Sequence, residues 1–234
     1  MYPPEPWHLR GQMYLSLFLV PRGKLSQLPP VLRDTVRPIT VGGRVVVGAA
    51  WVSYEPGGVL HYRELLSAVL VHERGRPRVS ITDIWVDSVA SREGGRRLWG
   101  IPKEMAEFQL DAGTEPLVDA AATAAGGPIG SAAGGPIGSA LVRLKGRLPG
   151  RFPLGFTVAQ ALGDAVRRTP VRGRGGLRTA DAAWRADPAG PLAYLAGRRP
   201  VLSLAITDFW LVFGRTPADR ARTGRPGTKG NARP

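Results

Sequence analysis

Lysine is scarce in this chain, and one lysine stands in a setting suited to amine chemistry. Among 32 basic residues, the lysines are Lys24, Lys103, Lys145 and Lys229. Arginine cannot act as an amine nucleophile because its guanidinium stays protonated. A deprotonated lysine can attack a carbonyl carbon and form a Schiff base. Lys103 follows an apolar run and a turn with glycine and proline, where reactive groups are often held. It is the candidate nucleophile, with an ordinary surface lysine as the alternative.

A glutamate lies on an apolar strand face upstream of this lysine. Period-two alternation puts Glu64 on the same face as Tyr62, Leu66, Ala68 and Leu70. Because desolvating a bare charge is costly, a carboxylate there must be paired, protonated or functional. Glu64 is therefore a candidate active-site carboxylate, with an ion pair to a nearby arginine as the alternative.

The next strand and the segment after it predict the surroundings of the lysine. Alternation places Asp83 and Asp87 on one face of the following strand. Residues 88–95 are expected to form a loop whose glycine pair turns the chain, and Pro102 fixes the approach to the lysine. A strand that carries acids should therefore meet a rigid turn that carries an amine.

The elements that would position these groups are mostly strands joined by turns. The apolar, β-branched and aromatic runs of the first half are 12–20, 44–54, 60–72, 79–87 and 105–111. A short helix is expected within 24–32, ending at Pro29-Pro30. In the second half we expect, in chain order, a strand at 140–148, a helix at 156–168, a basic glycine-rich loop at 169–178, a short strand or helix at 180–184 and a closing strand at 201–213. The pattern predicts antiparallel hairpins.

Two segments are expected to lie outside these elements. Residues 124–131 are repeated without change as 132–139. Their Gly-Gly-Pro content cannot hold a helix or a central strand, which predicts a flexible exposed loop at 118–140. A phosphate-cradling loop is the alternative, but its G-x-x-x-x-G-K-[ST] pattern is absent. Residues 215–234 mix arginine with glycine and proline, which predicts a disordered basic tail. We expect residues 1–214 to form a single domain.

Composition excludes several function classes. The absence of cysteine removes disulfides and thiol catalysis, and the three histidines lack metal-binding spacing, so we expect neither a metal nor a cofactor. A net charge of +14 and a pI of about 11.3 suggest nucleic acid. No nucleic-acid-binding motif is present, however, so we do not expect it as the main partner. The sequence contains no secretory signal or membrane-spanning run, which predicts a cytoplasmic protein without a membrane partner.

The candidate residues together resemble a known family, the acetoacetate decarboxylase superfamily. The pieces that carry the resemblance follow one another along the chain: Trp7-His8-Leu9-Arg10, Tyr62-Arg63-Glu64, Ile84-Trp85-Val86-Asp87 and the turn Gly95-Arg96-Arg97-Leu98-Trp99-Gly100-Ile101-Pro102-Lys103. The resemblance covers residues 5–110 well and the C-terminal half loosely.

The resemblance implies a role for each candidate residue. Lys103 would be the Schiff-base lysine, Glu64 an active-site carboxylate and Arg10 the partner of a substrate carboxylate. Glu104 would be a second substrate contact. Acetoacetate decarboxylase is itself the standard example of a lysine activated by desolvation or a neighbouring cation. The family's decarboxylases carry a second lysine where this chain has Glu104, and a nearby carboxylate should raise the pKa of the amine.

Fold and activity are implied in the same way. The fold would be α+β and β-dominated, with a curved antiparallel sheet closed into a barrel-like cone, a few short helices and an apolar interior. The protein would be a homo-oligomeric lyase that decarboxylates acetoacetate or a related β-keto acid. The alternatives are an aldolase-dehydratase of the same superfamily, or a non-catalytic barrel that binds a small carboxylic or lipophilic ligand.

Overall fold

The computed structural model describes residues 1–25, 27–111, 117–125 and 134–216, and strands make up most of them. The strands are β1 Trp7–Pro21, β2 Arg37–Pro38, β3 Thr40–Val41, β4 Arg44–Tyr54, β5 Tyr62–Glu73, β6 Arg76–Val86, β7 Lys103–Asp111, β8 Leu117–Ala124, β9 Pro136–Leu162, β10 Ala165–Ala186 and β11 Leu202–Phe213. The helices are α1 Pro30–Thr35 and α2 Val89–Trp99, and short 3-10 turns lie at Arg22–Lys24 and Ala193–Leu195. Neither α-helix of the described part is long and apolar enough to cross a bilayer.

The strands close into a ring. From β5 the order runs through β6, β7, β8, β9, β10, β11, β1 and β4, and β4 pairs again with β5. The pairings are antiparallel except that β6 runs parallel to β7 and also touches β9 in parallel, where Val79 faces Val158. This confirms the predicted β-dominated fold, a curved and largely antiparallel sheet closed on itself with few short helices.

Two hydrophobic cores lie on opposite faces of the β1, β4 and β5 sheet. Successive residues of β4 point to different cores: Trp51 packs in one cluster and Val52 in the other. Because both faces are covered, β4 is a continuous apolar run rather than an alternating one. The long strands β9 and β10 cover both cores, with Val142 in the first cluster and Val158 in the second.

The structure corrects two predictions in the second half of the chain. The expected helix at 156–168 is wrong, because these residues form the end of β9, a tight turn at Gly163 and the start of β10. The expected loop at 169–178 is also wrong, since these residues pair with both β9 and β11. Their glycines allow close strand approach: a Cβ on Gly173 would lie 2.0 Å from the Trp210 carbonyl oxygen. The segment 180–184, expected as a strand or helix, is strand.

Two further predictions concern segments near turns. The helix expected within 24–32 instead starts at Pro30, because proline suits the first helical turn. The loop predicted at 118–140 is wrong for residues 118–124 and 136–140, which belong to β8 and β9. The centre of the repeat, 126–133, and the tail from residue 217 onward lie outside the described residues.

Candidate active site

Helix α2 precedes Lys103 in the chain and sets its position. Ser88 caps its N-terminus by accepting a hydrogen bond from the Ser91 amide at 3.2 Å. Gly100 ends it in the left-handed conformation with φ 68°. A Cβ at Gly100 would lie 2.1 Å from the Ala161 carbonyl oxygen, so a side chain has no room there. The loop expected at 88–95 is therefore wrong, and Lys103 is the first residue of β7.

The glycine pair of α2 serves close packing rather than a turn. Buried positions 91, 94, 95 and 99 follow helical spacing and form one face of the helix. A Cβ on Gly95 would lie 2.8 Å from Cδ of Lys103, and one on Gly94 would lie 2.4 Å from the Trp7 ring. The lysine side chain therefore runs across the bare backbone at Gly95.

The amine of Lys103 is buried, and three side chains surround it. The residue is 4% exposed. Its Nζ lies 2.7 Å from Glu64 Oε2, 2.8 Å from Ser91 Oγ and 3.3 Å from the Tyr62 hydroxyl. An ammonium has three N–H groups, so this cage matches its whole donor capacity.

Both carboxylate oxygens of Glu64 accept a hydrogen bond. One oxygen accepts from Lys103, and the other accepts from the Tyr54 hydroxyl at 3.0 Å. Tyr54 and Tyr62 face each other across the β4–β5 pair, with ring centroids 4.4 Å apart. The expected alternative partner, an arginine, is replaced by the candidate nucleophile itself.

The electrostatics favour an ion pair at rest. Burial acts to lower the pKa of the Lys103 ammonium, but the Glu64 carboxylate and the hydrogen bonds of the cage outweigh it, and the pKa is raised. Burial raises the pKa of Tyr62 to about 12, and burial together with Glu64 raises that of Tyr54 well above its usual range. Both tyrosines are therefore neutral, with Tyr54 donating to Glu64 and Tyr62 accepting from Lys103, and the amine is protonated.

A cavity of about 480 Å³ opens beside this pair. Tyr54, Tyr62, Glu64 and Lys103 contribute its polar lining. The other lining residues are apolar or glycine, among them Leu15, Leu66, Ile81, Leu154 and Phe209. The arrangement presents an amine, a carboxylate and hydroxyl donors to a ligand that enters an apolar chamber.

Arg10 and Glu104 are not brought to the amine. Glu104 follows Lys103 in β7 and so points to the opposite side, where it is exposed and pairs with Arg96. Arg10 is exposed on β1, with its side chain beside Gly57, and it does not line the cavity. The structure thus joins Lys103 with Glu64 and leaves the other two candidates outside.

The strand acids predicted to converge on the lysine do not do so, and that prediction is wrong. A register shift in the β5–β6 pair sets Ser67 opposite Asp83 and Ala68 opposite Ile81, which interrupts the alternation of β6. Asp83 therefore lies on the other side and accepts a hydrogen bond from Tyr194 at 2.7 Å. Asp87 instead accepts from the Arg63 amide at 2.7 Å.

Sequence reasoning missed Ser91 and Tyr54. The signal for Ser91 was the i, i+3, i+4 spacing of the small residues Ser91, Gly94 and Gly95 after the capping Ser88, which is the spacing of one helix face. The glycine pair hid this signal because glycine disfavours a helix. The signal for Tyr54 was the β4–β5 hairpin, which sets it opposite Tyr62. The described residues contain no group of three histidine or acidic side chains that could hold a metal ion.

The sequence is similar to a known protein family. A family model described as acetoacetate decarboxylase matches residues 35–189, more than half of the chain, and the match includes Glu64, Ser91 and Lys103. No curated protein matches the sequence significantly.

Solved structures share the fold. Acetoacetate decarboxylase from Legionella pneumophila is similar with a TM-score of 0.65 and 17% identity, over 92% of this chain and 88% of that one. The enduracididine biosynthesis enzyme MppR complexed with pyruvate gives 0.62 and 18%, over 92% and 91%. An acetoacetate decarboxylase-like enzyme from Sphingomonas wittichii gives 0.59 and 12%, over 92% of each chain.

Proposed function

Because this chain belongs to the acetoacetate decarboxylase family, we propose that it is a lyase that decarboxylates a β-keto acid through a Schiff base on Lys103. The observation that carries the proposal is the buried amine at the wall of an apolar cavity, 2.7 Å from the Glu64 carboxylate. A lysine buried only for stability would be an expensive way to fill a core. A lysine that must lose and regain a proton needs this kind of partner.

The first step requires a neutral amine. The pKa of Lys103 is raised by its surroundings, so loss of its proton to solvent is unfavourable. Glu64 Oε2 lies in hydrogen-bond contact with the amine and can take the proton directly. Nζ then attacks the ketone carbon, and one proton passes from the nitrogen to the ketone oxygen to form a hydroxyl. Glu64 returns its proton to that hydroxyl, which leaves as water and yields a protonated imine.

Loss of carbon dioxide follows from the charge of this intermediate. The electron pair of the bond to the carboxylate moves toward the imine nitrogen, carbon dioxide leaves and a neutral enamine forms. Protonation of the enamine at carbon and hydrolysis then release a ketone and the free lysine. Ser91 and Tyr62, already in contact with the amine, hold the nitrogen in place through these steps.

The apolar lining supports decarboxylation over reactions that retain the carboxylate. Among the described residues that line the cavity, Lys103 is the one cation. In the intermediate this cation is the protonated imine nitrogen itself, so a substrate carboxylate has no second cationic partner, and its desolvation is costly. Departure of carbon dioxide removes that charge. An aldolase-dehydratase would keep its carboxylate through the whole reaction.

Reductive trapping tests the proposal. The protein is treated with sodium borohydride in the presence of acetoacetate or pyruvate, and the adduct is mapped by mass spectrometry while release of carbon dioxide is followed separately. We expect an adduct on Lys103 that is absent from Lys103→Ala. Lys145→Ala, which removes an exposed lysine paired with Asp181, is the matched control and should trap normally.

Three outcomes would count against the proposal. An adduct that survives Lys103→Ala would overturn the assignment of the chemistry to Lys103, and no adduct with any keto acid would rule out the Schiff-base chemistry itself. Trapping without release of carbon dioxide, together with condensation of pyruvate with an aldehyde, would point to the aldolase-dehydratase.

A further inference from the structure

The cavity extends far beyond the reacting groups. Glu64, Leu66, Ala68 and Leu70 line it from alternate positions of β5. Six residue steps of an antiparallel strand span roughly 20 Å at about 3.4 Å per residue. On β6 the lining runs from Ile84, which is opposite Lys103, to Val79, five steps away. The amine therefore sits toward one end of a long chamber.

The polar groups are confined to that end. The two charged residues and the two tyrosines of the lining all lie around Lys103. The wall beyond them is built from aliphatic and aromatic side chains: Leu15, Leu17, Leu70, Val79, Leu154 and Phe156. This remote part offers no side-chain hydrogen-bond donor or acceptor among the described residues, so it would reject a polar ligand and favour an apolar one.

Acetoacetate is poorly matched to this volume. Cavities of roughly 300–1,000 Å³ hold drug-sized ligands, and this one measures about 480 Å³. A substrate of four carbons placed at Lys103 would leave the remote apolar wall without a partner. Arg10, the expected carboxylate partner, lies outside the cavity, so recognition through the carboxylate is also limited.

We propose that the substrate is a β-keto acid with a long apolar acyl tail, which lies along the apolar chamber while its keto group meets Lys103. The reaction converts the β-keto acid R–CO–CH₂–CO₂⁻ and one proton into the methyl ketone R–CO–CH₃ and carbon dioxide. This inference rests on the proposed decarboxylation, but binding of the tail can be measured without it.

The first test is a chain-length series. We expect kcat/KM for decarboxylation to rise from acetoacetate to β-ketooctanoate and β-ketododecanoate, because each buried methylene contributes up to about fourfold. A rise of at least tenfold from acetoacetate to β-ketooctanoate is the expected result. A flat series, or a higher kcat/KM for the compact benzoylacetate than for β-ketododecanoate, overturns the tail assignment and leaves the decarboxylase proposal standing.

The second test narrows the chamber. A Cβ on Gly48 would lie 3.5 Å from Leu15 and 3.6 Å from Leu17, which is ordinary contact, so a larger side chain would extend into the cavity. Gly48→Leu should lower kcat/KM for β-ketododecanoate at least tenfold more than that for acetoacetate. Gly146→Leu makes the same exchange at an exposed strand position outside the cavity and should keep the ratio unchanged. Equal losses on both substrates in Gly48→Leu would contradict the proposal.

Binding to Lys103→Ala separates the two proposals. This variant cannot form an imine, yet its apolar chamber is intact. It should bind dodecan-2-one at least tenfold more tightly than butan-2-one in calorimetry. Tail-dependent binding without decarboxylation of any keto acid by the parent protein would sink the proposed function alone. Absence of tail-dependent binding would sink the tail assignment alone.

Discussion

Replacing Glu64 by glutamine should make the stability of the protein depend on pH. Both side chains of the pair are buried, at 5% and 3% exposure for Lys103 and Glu64, so solvent screens their attraction little. Removing one partner of a buried ion pair costs about 3–5 kcal/mol because the other charge is left uncompensated. Against a typical stability of about 5–15 kcal/mol, Glu64→Gln should fold at neutral pH but be strongly destabilised.

The sign of the pH dependence follows from what remains around the amine. In the parent protein the pKa of Lys103 is raised, so its stabilising contribution is complete below the ordinary lysine range and is lost only as the pH rises through the raised value. In Glu64→Gln the carboxylate is gone and burial dominates, so the pKa falls below the ordinary value. The folded variant then binds fewer protons than the unfolded chain, and its stability rises by up to about 1.4 kcal/mol per pH unit.

Urea unfolding at pH 7 and pH 9 measures this difference. The gap in unfolding free energy between parent and variant should narrow by up to about 2.7 kcal/mol across the two units. Glu104→Gln makes the same chemical change one residue from the lysine, on an exposed side chain paired with Arg96. That control should lose less than about 1 kcal/mol, without pH dependence. A pH-independent gap for Glu64→Gln would refute the claim that this carboxylate holds the charge of Lys103.

Three further substitutions probe the site. Gly95→Ala adds a methyl group 2.8 Å from Cδ of Lys103 and should reduce borohydride trapping at least tenfold. This loss is expected even though alanine stabilises a helix by about 1 kcal/mol relative to glycine. Gly23→Ala, which adds a methyl group in open space, is the control. Ser91→Ala removes a hydrogen bond of 2.8 Å to the amine and should lower kcat about tenfold with KM nearly constant, whereas an unchanged kcat would assign Ser91 to helix packing alone. Arg10→Ala should change KM for acetoacetate less than twofold, and a tenfold rise would bring back the carboxylate role that the sequence suggested.

Local patterns predicted the part of the site that depends on strand alternation. The face shared by Tyr62, Glu64 and Leu66 follows from the two-residue period alone, and all three line the cavity. The boundaries of β4 were also predictable, because its apolar run is bounded by charged residues and glycine. The partner of Glu64 was not predictable from alternation, since the contact with Lys103 joins positions 39 residues apart.

The wrong secondary-structure predictions fall where tertiary packing overrides the local conformational preference of glycine. Two adjacent glycines disfavour a helix by roughly 1 kcal/mol each relative to alanine, which led to a loop at 88–95. In the structure, the side chains of Trp7 and Lys103 pack so close to Gly94 and Gly95 that a Cβ atom at either position would clash with them. Likewise Gly173 and its neighbours suggested a loop, but they lie in β10, where only a glycine fits against the Trp210 carbonyl.

The contact between Gly95 and Lys103 has a consequence for the descent of this family. A lysine that crosses the helix at this point forbids a side chain at position 95, while a shorter residue at position 103 would release that restriction. The two positions should therefore change together in homologous sequences. Homologues that lack the lysine at position 103 should more often carry alanine or serine at position 95. The residue at position 95 would then indicate which homologues have lost the amine chemistry.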